Sequence, residues 1–536
     1  MNDPVLVIEG LTVAAGSGGR ARQIVRRLDL SVGRGQIVCV VGESGSGKSV
    51  TAFSVMGLLP PGLKPVDGSI RLAGEELLTA TPDRLRALRG SRMAMIFQEP
   101  MTALNPVMTI SAQIAELIEW HSETRLPAKL IEQKVLAALT DMHLPDPAAL
   151  MHAYPHQLSG GQRQRVMIAM ALVLEPSLLI ADEPTTALDV TTQQQILHLI
   201  RELVQRRGIG VLFITHDFGV VSDIADHVVV MQKGVQVESG PADIVLTQPL
   251  QPYTRLLIDS VPQGVRRNRG AREAAAPVLE VRDVAMTYGR RGLFGRGRVT
   301  HAVKQASFSL GRGEIVGVVG ESGSGKSTLA RCVARLIQPS AGQILLNGAD
   351  IAQASAGALK PHRRRIQVVF QDPYRSLNPR LPIGRSLVEG AMNFGATKQE
   401  ANDRAQALLA LVGMDAHILE RFPHEFSGGQ RQRICIARAL AAEPEILIAD
   451  EAVSALDVTV QAQVLKLLGE LRSRLGLAML FITHDLRVAG ELCDRIMVMK
   501  SGEVVESGAT AEVFAHPQHP YTQALFAAAP GQRAAR

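Results

Sequence analysis

The chain repeats itself: four short motifs occur in one order in its first half and return in that order in its second. Gly42-Glu43-Ser44-Gly45-Ser46-Gly47-Lys48-Ser49 returns as Gly320-Glu321-Ser322-Gly323-Ser324-Gly325-Lys326-Ser327. Leu158-Ser159-Gly160-Gly161-Gln162 returns as Phe426-Ser427-Gly428-Gly429-Gln430. Ile180-Ala181-Asp182-Glu183 returns as Ile448-Ala449-Asp450-Glu451, and Thr215-His216-Asp217 as Thr483-His484-Asp485. One match could be chance; four in register are not, so the chain is expected to fold as two copies of one domain. Its 536 residues also exceed what a single hydrophobic core supports. The expected division is residues 1–262, a linker at 263–277, and residues 278–536.

Within each half the local pattern is α/β. Leu6-Val7-Ile8 and Ile37–Val41 read as strands, as do Leu279-Glu280-Val281 and Ile315–Val319. The second strand of each pair feeds the Gly-rich loop, and helix-compatible sequence follows at 50–59 and 328–337, the strand–loop–helix order a phosphate-binding P-loop requires. Mostly helical stretches follow at 100–175 and 373–443. Nearly unbroken apolar runs at 177–181, 211–215, 445–449 and 479–483 then read as buried strands of a parallel sheet. Residues 263–277, rich in Arg, Ala and Gly, read as a flexible basic linker, and 289–298 as a surface loop. Each half also closes on an echo, Gln251-Pro252-Tyr253-Thr254 and His519-Pro520-Tyr521-Thr522.

Composition narrows the function classes. Aromatic residues make up 4% of the chain, too few for an extended base-stacking surface, so no nucleic-acid partner is expected. The net charge of +6, from 57 basic and 51 acidic residues, is small for this length and reads as a solvated surface. Four scattered cysteines form no Cys-x-x-Cys pair, which suggests packed, reduced thiols rather than zinc or iron–sulfur ligands. No apolar run approaches the roughly 18 residues a membrane span needs, and the first nine residues lack a secretory pattern. The expected location is cytosolic, or at a membrane through another protein.

The motifs carry specific chemistry. In each P-loop the glycines turn backbone N–H groups inward at a helix N-terminus, around phosphate oxygens. Lys48 and Lys326 are expected to reach the β- and γ-phosphates, and Ser49 and Ser327 to ligate Mg²⁺. Asp182 and Asp450 end apolar strands, at the sheet edge where α/β proteins bind ligands, and are expected to hold Mg²⁺ through water. The adjacent Glu183 and Glu451 are candidates to polarise the attacking water. His216 and His484 would sense the γ-phosphate, while Gln98 and Gln371, at strand exits, would contact Mg²⁺ and the water. The Ser-Gly-Gly entries Ser159–Gln162 and Ser427–Gln430 precede helix-forming runs and offer a second anion site apart from the P-loop. A single domain has no use for that second site unless another copy's nucleotide arrives there.

Together these residues resemble the ATP-binding cassette (ABC) ATPases over essentially the whole chain, and within them the peptide/nickel importer group. Phe-Gln-Asp-Pro at 370–373, Ser-Leu-Asn-Pro at 376–379, Tyr-Pro-His-Gln-Leu-Ser-Gly-Gly at 154–161 and the terminal Pro-Tyr-Thr carry the narrower likeness. Two cassettes on one chain are similar to the fused ATPase subunits of microcin C/oligopeptide and glutathione importers. The resemblance implies two P-loop domains, each with a mainly parallel sheet core, an antiparallel β part and a helical subdomain. It implies head-to-tail pairing around two ATP molecules. One site would join Lys48, Ser49, Asp182, Glu183 and His216 to Ser427–Gln430, the other Lys326, Ser327, Asp450, Glu451 and His484 to Ser159–Gln162. Asp189 and Asp457 match the family's interface loop. Two membrane permease subunits and a solute-binding protein are the implied partners, at the cytoplasmic face of a bacterial inner membrane. A soluble cassette protein acting on ribosomes or DNA is the alternative. Two departures stand out: Tyr288 matches the family's adenine-stacking aromatic while Val13-Ala14-Ala15 offers none, and Ala452 replaces the usual Pro after Glu451.

Overall fold

A computed structural model describes residues 4–16, 22–98, 103–185, 188–262, 264, 277–289, 299–454 and 456–529. It divides into two compact units between Val261 and Pro262. The expected linker, apart from Gly264 and Pro277, and the expected loop at 289–298, apart from Gly289, lie outside the described residues.

The first unit contains, in chain order, β1 (Leu6–Ala15), β2 (Arg22–Val32), β3 (Ile37–Val41), β4 (Leu63–Leu72), β5 (Glu75–Glu76), β6 (Met93–Ile96), β7 (Leu178–Asp182), β8 (Gly210–Ile214), β9 (His227–Gln232) and β10 (Val235–Pro241). They hydrogen-bond in the order β5-β4-β1-β2-β10-β9-β3-β8-β7-β6. Strands β9, β3, β8, β7 and β6 are mutually parallel. Strand β10 turns back antiparallel to β9, and β2, β1, β4 and β5 form an antiparallel arm. The second unit repeats this with β11 (Pro277–Tyr288), β12 (Thr300–Gly311), β13 (Ile315–Val319), β14 (Ala341–Leu346), β15 (Ala349–Asp350), β16 (Ile366–Val369), β17 (Ile446–Asp450), β18 (Ala478–Ile482), β19 (Arg495–Lys500) and β20 (Glu503–Ala509). Their order, β15-β14-β11-β12-β20-β19-β13-β18-β17-β16, matches the first strand for strand.

The burial pattern explains the layering. Every residue of β3, β7 and β8, and of β13, β17 and β18, is buried. A strand buried on both faces needs helices on both sides, which is why these runs read as continuously apolar. The expected helical stretches resolve into Ile110–Trp120, Ala128–Asp141 and Gly160–Leu172, and into Ile383–Asn393, Lys398–Leu411 and Gly428–Leu440. Ile114, Val135, Leu139 and Val166 bury their apolar faces in one continuous core, as do Leu387, Leu409 and Ile434 in the other unit. The antiparallel arms are longer than the three-residue runs legible in the sequence. Register shifts interrupt β1 and β11, so apolar and polar residues stop alternating cleanly along them.

This topology decides where the chemistry sits. The Gly-rich loop leaves β3, Thr215 leaves β8, Asp182 ends β7 and Gln98 follows β6, so all emerge at the carboxyl ends of adjacent parallel strands. Open α/β sheets bind ligands at that edge.

Candidate nucleotide site

The loop at Gly42–Ser49 is shaped by positions where a side chain cannot stand. Gly42 has φ 149°, and a Cβ there would lie 2.1 Å from the Met231 carbonyl oxygen at the end of β9. Gly320 repeats this at φ 147°, 2.3 Å from the Met499 oxygen. The chain thus turns sharply off the sheet and enters the helices Lys48–Met56 and Lys326–Val333 through left-handed Gly47 and Gly325. Lys48 Nζ donates to the carbonyls of Gly42 and Glu43 at 2.7 and 2.9 Å, and Lys326 Nζ to those of Gly320 and Glu321 at 2.8 and 2.7 Å. Each ammonium is therefore held at the loop mouth, almost fully buried.

The loop interior fits a chain of phosphates. The buried hydroxyls of Ser46 and Ser324 have no hydrogen-bond partner. Gly45 and Gly323 hold φ 77° and 80°, with open space where a Cβ would stand. A buried polar atom left unmet is costly, so an orphaned hydroxyl beside an ammonium and a helix N-terminus suits an oxyanion. Ser44, Glu43, Ser322 and Glu321 complete the two loops.

Opposite each loop stands a carboxylate pair. Ser49 Oγ donates to Asp182 Oδ1 at 3.1 Å and Ser327 Oγ to Asp450 Oδ1 at 2.9 Å, which brings two of the three expected Mg²⁺ ligands of each half together. Burial, helped by the neighbouring Glu183, pushes the Asp182 carboxyl up to about 6, against the pull of Ser49 and Lys48. Burial likewise raises Asp450. A hydroxyl and a buried carboxylate whose charge is poorly compensated suit a hard divalent cation with oxygen ligands.

The adjacent glutamates have an unusual backbone. Glu183 and Glu451 adopt φ 47° and 50°, the left-handed region that side chains other than glycine rarely occupy. Their N–H groups donate to the Ile214 and Ile482 carbonyls at 2.9 and 3.0 Å, which fixes the turn. The consequence is aim. Gln98 Nε2 donates to Glu183 Oε2 at 3.0 Å, and His216 Nδ1 lies 3.1 Å from Glu183 Oε1. In the second unit Gln371 Nε2 donates to Glu451 Oε2 at 2.8 Å, and His484 Nδ1 lies 3.4 Å from that oxygen. Burial opposes ionisation of Glu451, but the His484 hydrogen bond and charge prevail and hold it below its ordinary range. The same pairing overcomes burial to raise His484. Glutamate, glutamine and histidine, far apart in sequence, thus form one cluster in each unit.

The Ser-Gly-Gly-Gln motifs are capping boxes. Ser159 Oγ accepts from Gln162 N–H and Gln162 Oε1 accepts from Ser159 N–H, and Ser427 and Gln430 do the same. The glutamine carbonyl therefore serves its own helix. Gly160 faces open space and a Cβ on Gly428 would make only an ordinary contact with Leu456 Cδ2 at 3.9 Å, whereas a Cβ on Gly161 would meet Thr192 Cγ2 at 2.5 Å and one on Gly429 would meet Val460 Cγ1 at 2.1 Å. The second glycine is required by packing on the next helix; the first has room for a side chain. Asp189 caps the helix Val190–Arg207 through Thr192 N–H.

Tyr288, at the end of β11, is half exposed, and Ala15 holds the matching place at the end of β1. Ala452 is buried, and nothing in the structure assigns its substitution an effect. One linkage was not foreseen. In the second unit the Arg431 guanidinium stacks 3.7 Å from the Tyr374 ring centroid, and Arg438 donates to the Ser376 carbonyl. These tie the segment after Gln371 to the helix that begins at Gly428. The halves differ here in sequence: Met101 and Met170 stand where Tyr374 and Arg438 do. Aligning the two halves against each other would have exposed the difference.

The ABC transporter family model matches residues 25–186 and 303–454, and the oligopeptide/dipeptide transporter C-terminal region matches 237–284 and 505–536. The chain belongs to the ABC transporter ATPases. It is 47% identical to the glutathione import ATP-binding protein GsiA of Salmonella choleraesuis, over 98% of this chain and 89% of that protein. It is 46% identical to GsiA of Escherichia coli K12 over the same shares. Among solved structures, the ATP-binding cassette MJ0796 bound to ADP and Pi is similar at 25% identity and a TM-score of 0.40, covering 44% of this chain and 98% of that one. The chain is thus an ATP-binding ATPase with two tandem cassettes, and these comparisons lend no support to a cassette acting on ribosomes or DNA. Among the described residues no helix is long and apolar enough to cross a membrane.

Proposed function

We propose that the chain is the ATP-hydrolysing subunit of an importer for peptides or a glutathione-like solute, with both nucleotide sites active. The observation that carries two-site activity is that each unit has its own glutamate held between a glutamine and a histidine. Both relatives are glutathione import proteins, and the oligopeptide-transporter region occurs twice.

Lys48, Ser46 and the loop N–H groups hold the triphosphate of one site; Lys326, Ser324 and their loop hold the other. Ser49 and Asp182, with Gln98, would hold Mg²⁺, as would Ser327 and Asp450 with Gln371. Mg²⁺ there neutralises charge on the phosphate oxygens. Glu183 or Glu451 orients a water and accepts its proton as the water oxygen attacks the γ-phosphorus and the bond to the β-bridging oxygen breaks, giving ADP and phosphate. His216 and His484, already beside the glutamates, hold the carboxylates in place and meet the γ-phosphate. Ser159–Gly160 and Ser427–Gly428 carry hydroxyl and N–H donors at helix starts, suited to a phosphate oxygen.

The subunit acts at the cytoplasmic face of the inner membrane on two permease subunits, supplied by a solute-binding protein. Affinity purification from solubilised membranes tests this: recovery with two multispanning proteins is expected, and recovery with ribosomes would overturn it.

A further inference from the structure

The duplicated Pro-Tyr-Thr segment has no part in the site described above, yet both copies reach the nucleotide loop. Tyr253 Oη accepts a hydrogen bond from the Glu43 N–H at 3.3 Å, and Tyr521 Oη accepts from the Glu321 N–H at 3.1 Å. Glu43 and Glu321 are the second residues of the two loops, each directly after the glycine that turns off the sheet, and their carbonyls receive Lys48 Nζ and Lys326 Nζ. The Gly42–Glu43 and Gly320–Glu321 peptide units therefore carry both contacts, the tyrosine on the N–H and the lysine on the carbonyl.

Each tyrosine is braced from the sheet. Glu238 on β10 accepts from the N–H groups of Leu250 and Gln251 at 2.8 and 3.1 Å, which sets the start of the helix Pro252–Asp259 that carries Tyr253. Glu506 on β20 accepts from Gln518 and His519 N–H at 2.8 and 3.0 Å and so sets the helix Pro520–Ala527 that carries Tyr521. Proline at the first helical position fixes the entry angle in both. Lys500 further stacks 4.7 Å from the Tyr521 ring centroid; Gln232 stands at that place in the first unit.

We infer that Tyr253 and Tyr521 are positioning residues for ATP: struts through which the C-terminal segment of each unit fixes the entrance of its phosphate loop and hence its nucleotide affinity. The inference rests on the reading of Gly42–Ser49 and Gly320–Ser327 as ATP-binding loops. A rigid entrance keeps the lysine ammonium and loop N–H groups in the geometry that phosphate demands, so less ordering is left to binding. A phenylalanine keeps the ring and its packing while removing the oxygen alone.

The test is made on the full chain, with Tyr253→Phe, Tyr521→Phe and the double variant, alongside Lys48→Ala/Lys326→Ala as reference. Equilibrium MgATP binding, steady-state ATPase and thermal melts without nucleotide are measured. A neutral hydrogen bond contributes about 1 kcal/mol. The double variant should therefore show roughly a fivefold rise in Kd and KM for ATP, a kcat changed by less than about twofold, and an apo melting temperature lowered by no more than about 2–4 °C, the worth of one such bond per unit. Unchanged Kd and KM would overturn the strut. So would a larger fall in apo melting temperature with an equal loss of kcat, which would mark the tyrosines as packing residues alone. If the lysine variants bind ATP normally, the loop reading itself fails, which separates the two failures.

Discussion

Replacing both glutamates by glutamine, Glu183→Gln with Glu451→Gln, tests the hydrolytic reading most directly. Glutamine keeps the length of the side chain and faces no greater backbone strain at φ 47° and 50° than glutamate does. It can still accept from Gln98 or Gln371 through its amide oxygen, at positions now 3.0 and 2.8 Å apart. What it loses is the proton acceptor and the charge facing His216 and His484. Positioned acid–base assistance contributes about 10²–10⁴ in rate, equivalent to about 2.7–5.5 kcal/mol of barrier. The doubly substituted chain should therefore bind ATP at least as tightly as the unsubstituted chain while single-turnover release of phosphate falls by about 10²–10⁴. Each single variant should lose at least about half of steady-state turnover, because one of two glutamates remains. Rapid-quench measurement with γ-labelled ATP reads the chemical step, and filter binding reads retention. A double variant that hydrolyses at the unsubstituted rate would refute the assignment of the base. A single variant with full turnover would show that its site had been silent.

Other perturbations have equally definite outcomes. Because burial raises Asp182 from 3.8 to about 6, this group binds more protons folded than unfolded. Its contribution to stability is present at low pH and lost as pH rises from about 4 through 6. Asp182→Asn should therefore raise the apo melting temperature at pH 7.5, by an amount on the order of 2–3 kcal/mol in stability, while Mg²⁺-dependent hydrolysis falls; an unchanged or lower melting temperature contradicts the account. Gly320→Ala would set a Cβ 2.3 Å from the Met499 carbonyl oxygen, so a loss of about 2 kcal/mol or more in chemical denaturation and loss of ATP binding at that loop are expected. Tyr288→Ala should weaken ATP binding at the second P-loop by about 1–3 kcal/mol if adenine stacks there, and Ala15→Tyr should tighten the first, both read by equilibrium binding.

Much of this molecule is written locally. The P-loops, the strand-ending Asp182 and Asp450 and the Ser-Gly-Gly-Gln helix starts follow from side-chain type and spacing alone. A glycine at a forbidden φ or a serine before a helix is a constraint felt within a few residues. Duplication made each reading testable against its copy, and the buried strands fell within a residue or so of the expected runs because burial on both faces leaves an unbroken apolar signature. The capping role of Gln162 and Gln430 was equally local, though spacing alone suggested only an anion site. The left-handed Glu183 and Glu451, by contrast, depend on hydrogen bonds to Ile214 and Ile482 on a neighbouring strand. Likewise Gln98 meets Glu183 across 85 positions, and Tyr253 meets Glu43 across 210. Contacts of that kind are set by strand order, with β3 placed between β9 and β8, and no local pattern of residues encodes that order. The sequence by itself determined which groups exist and which turns they sit on. Only the tertiary structure decided which of them touch, because proximity between distant segments comes from how the sheet is wound.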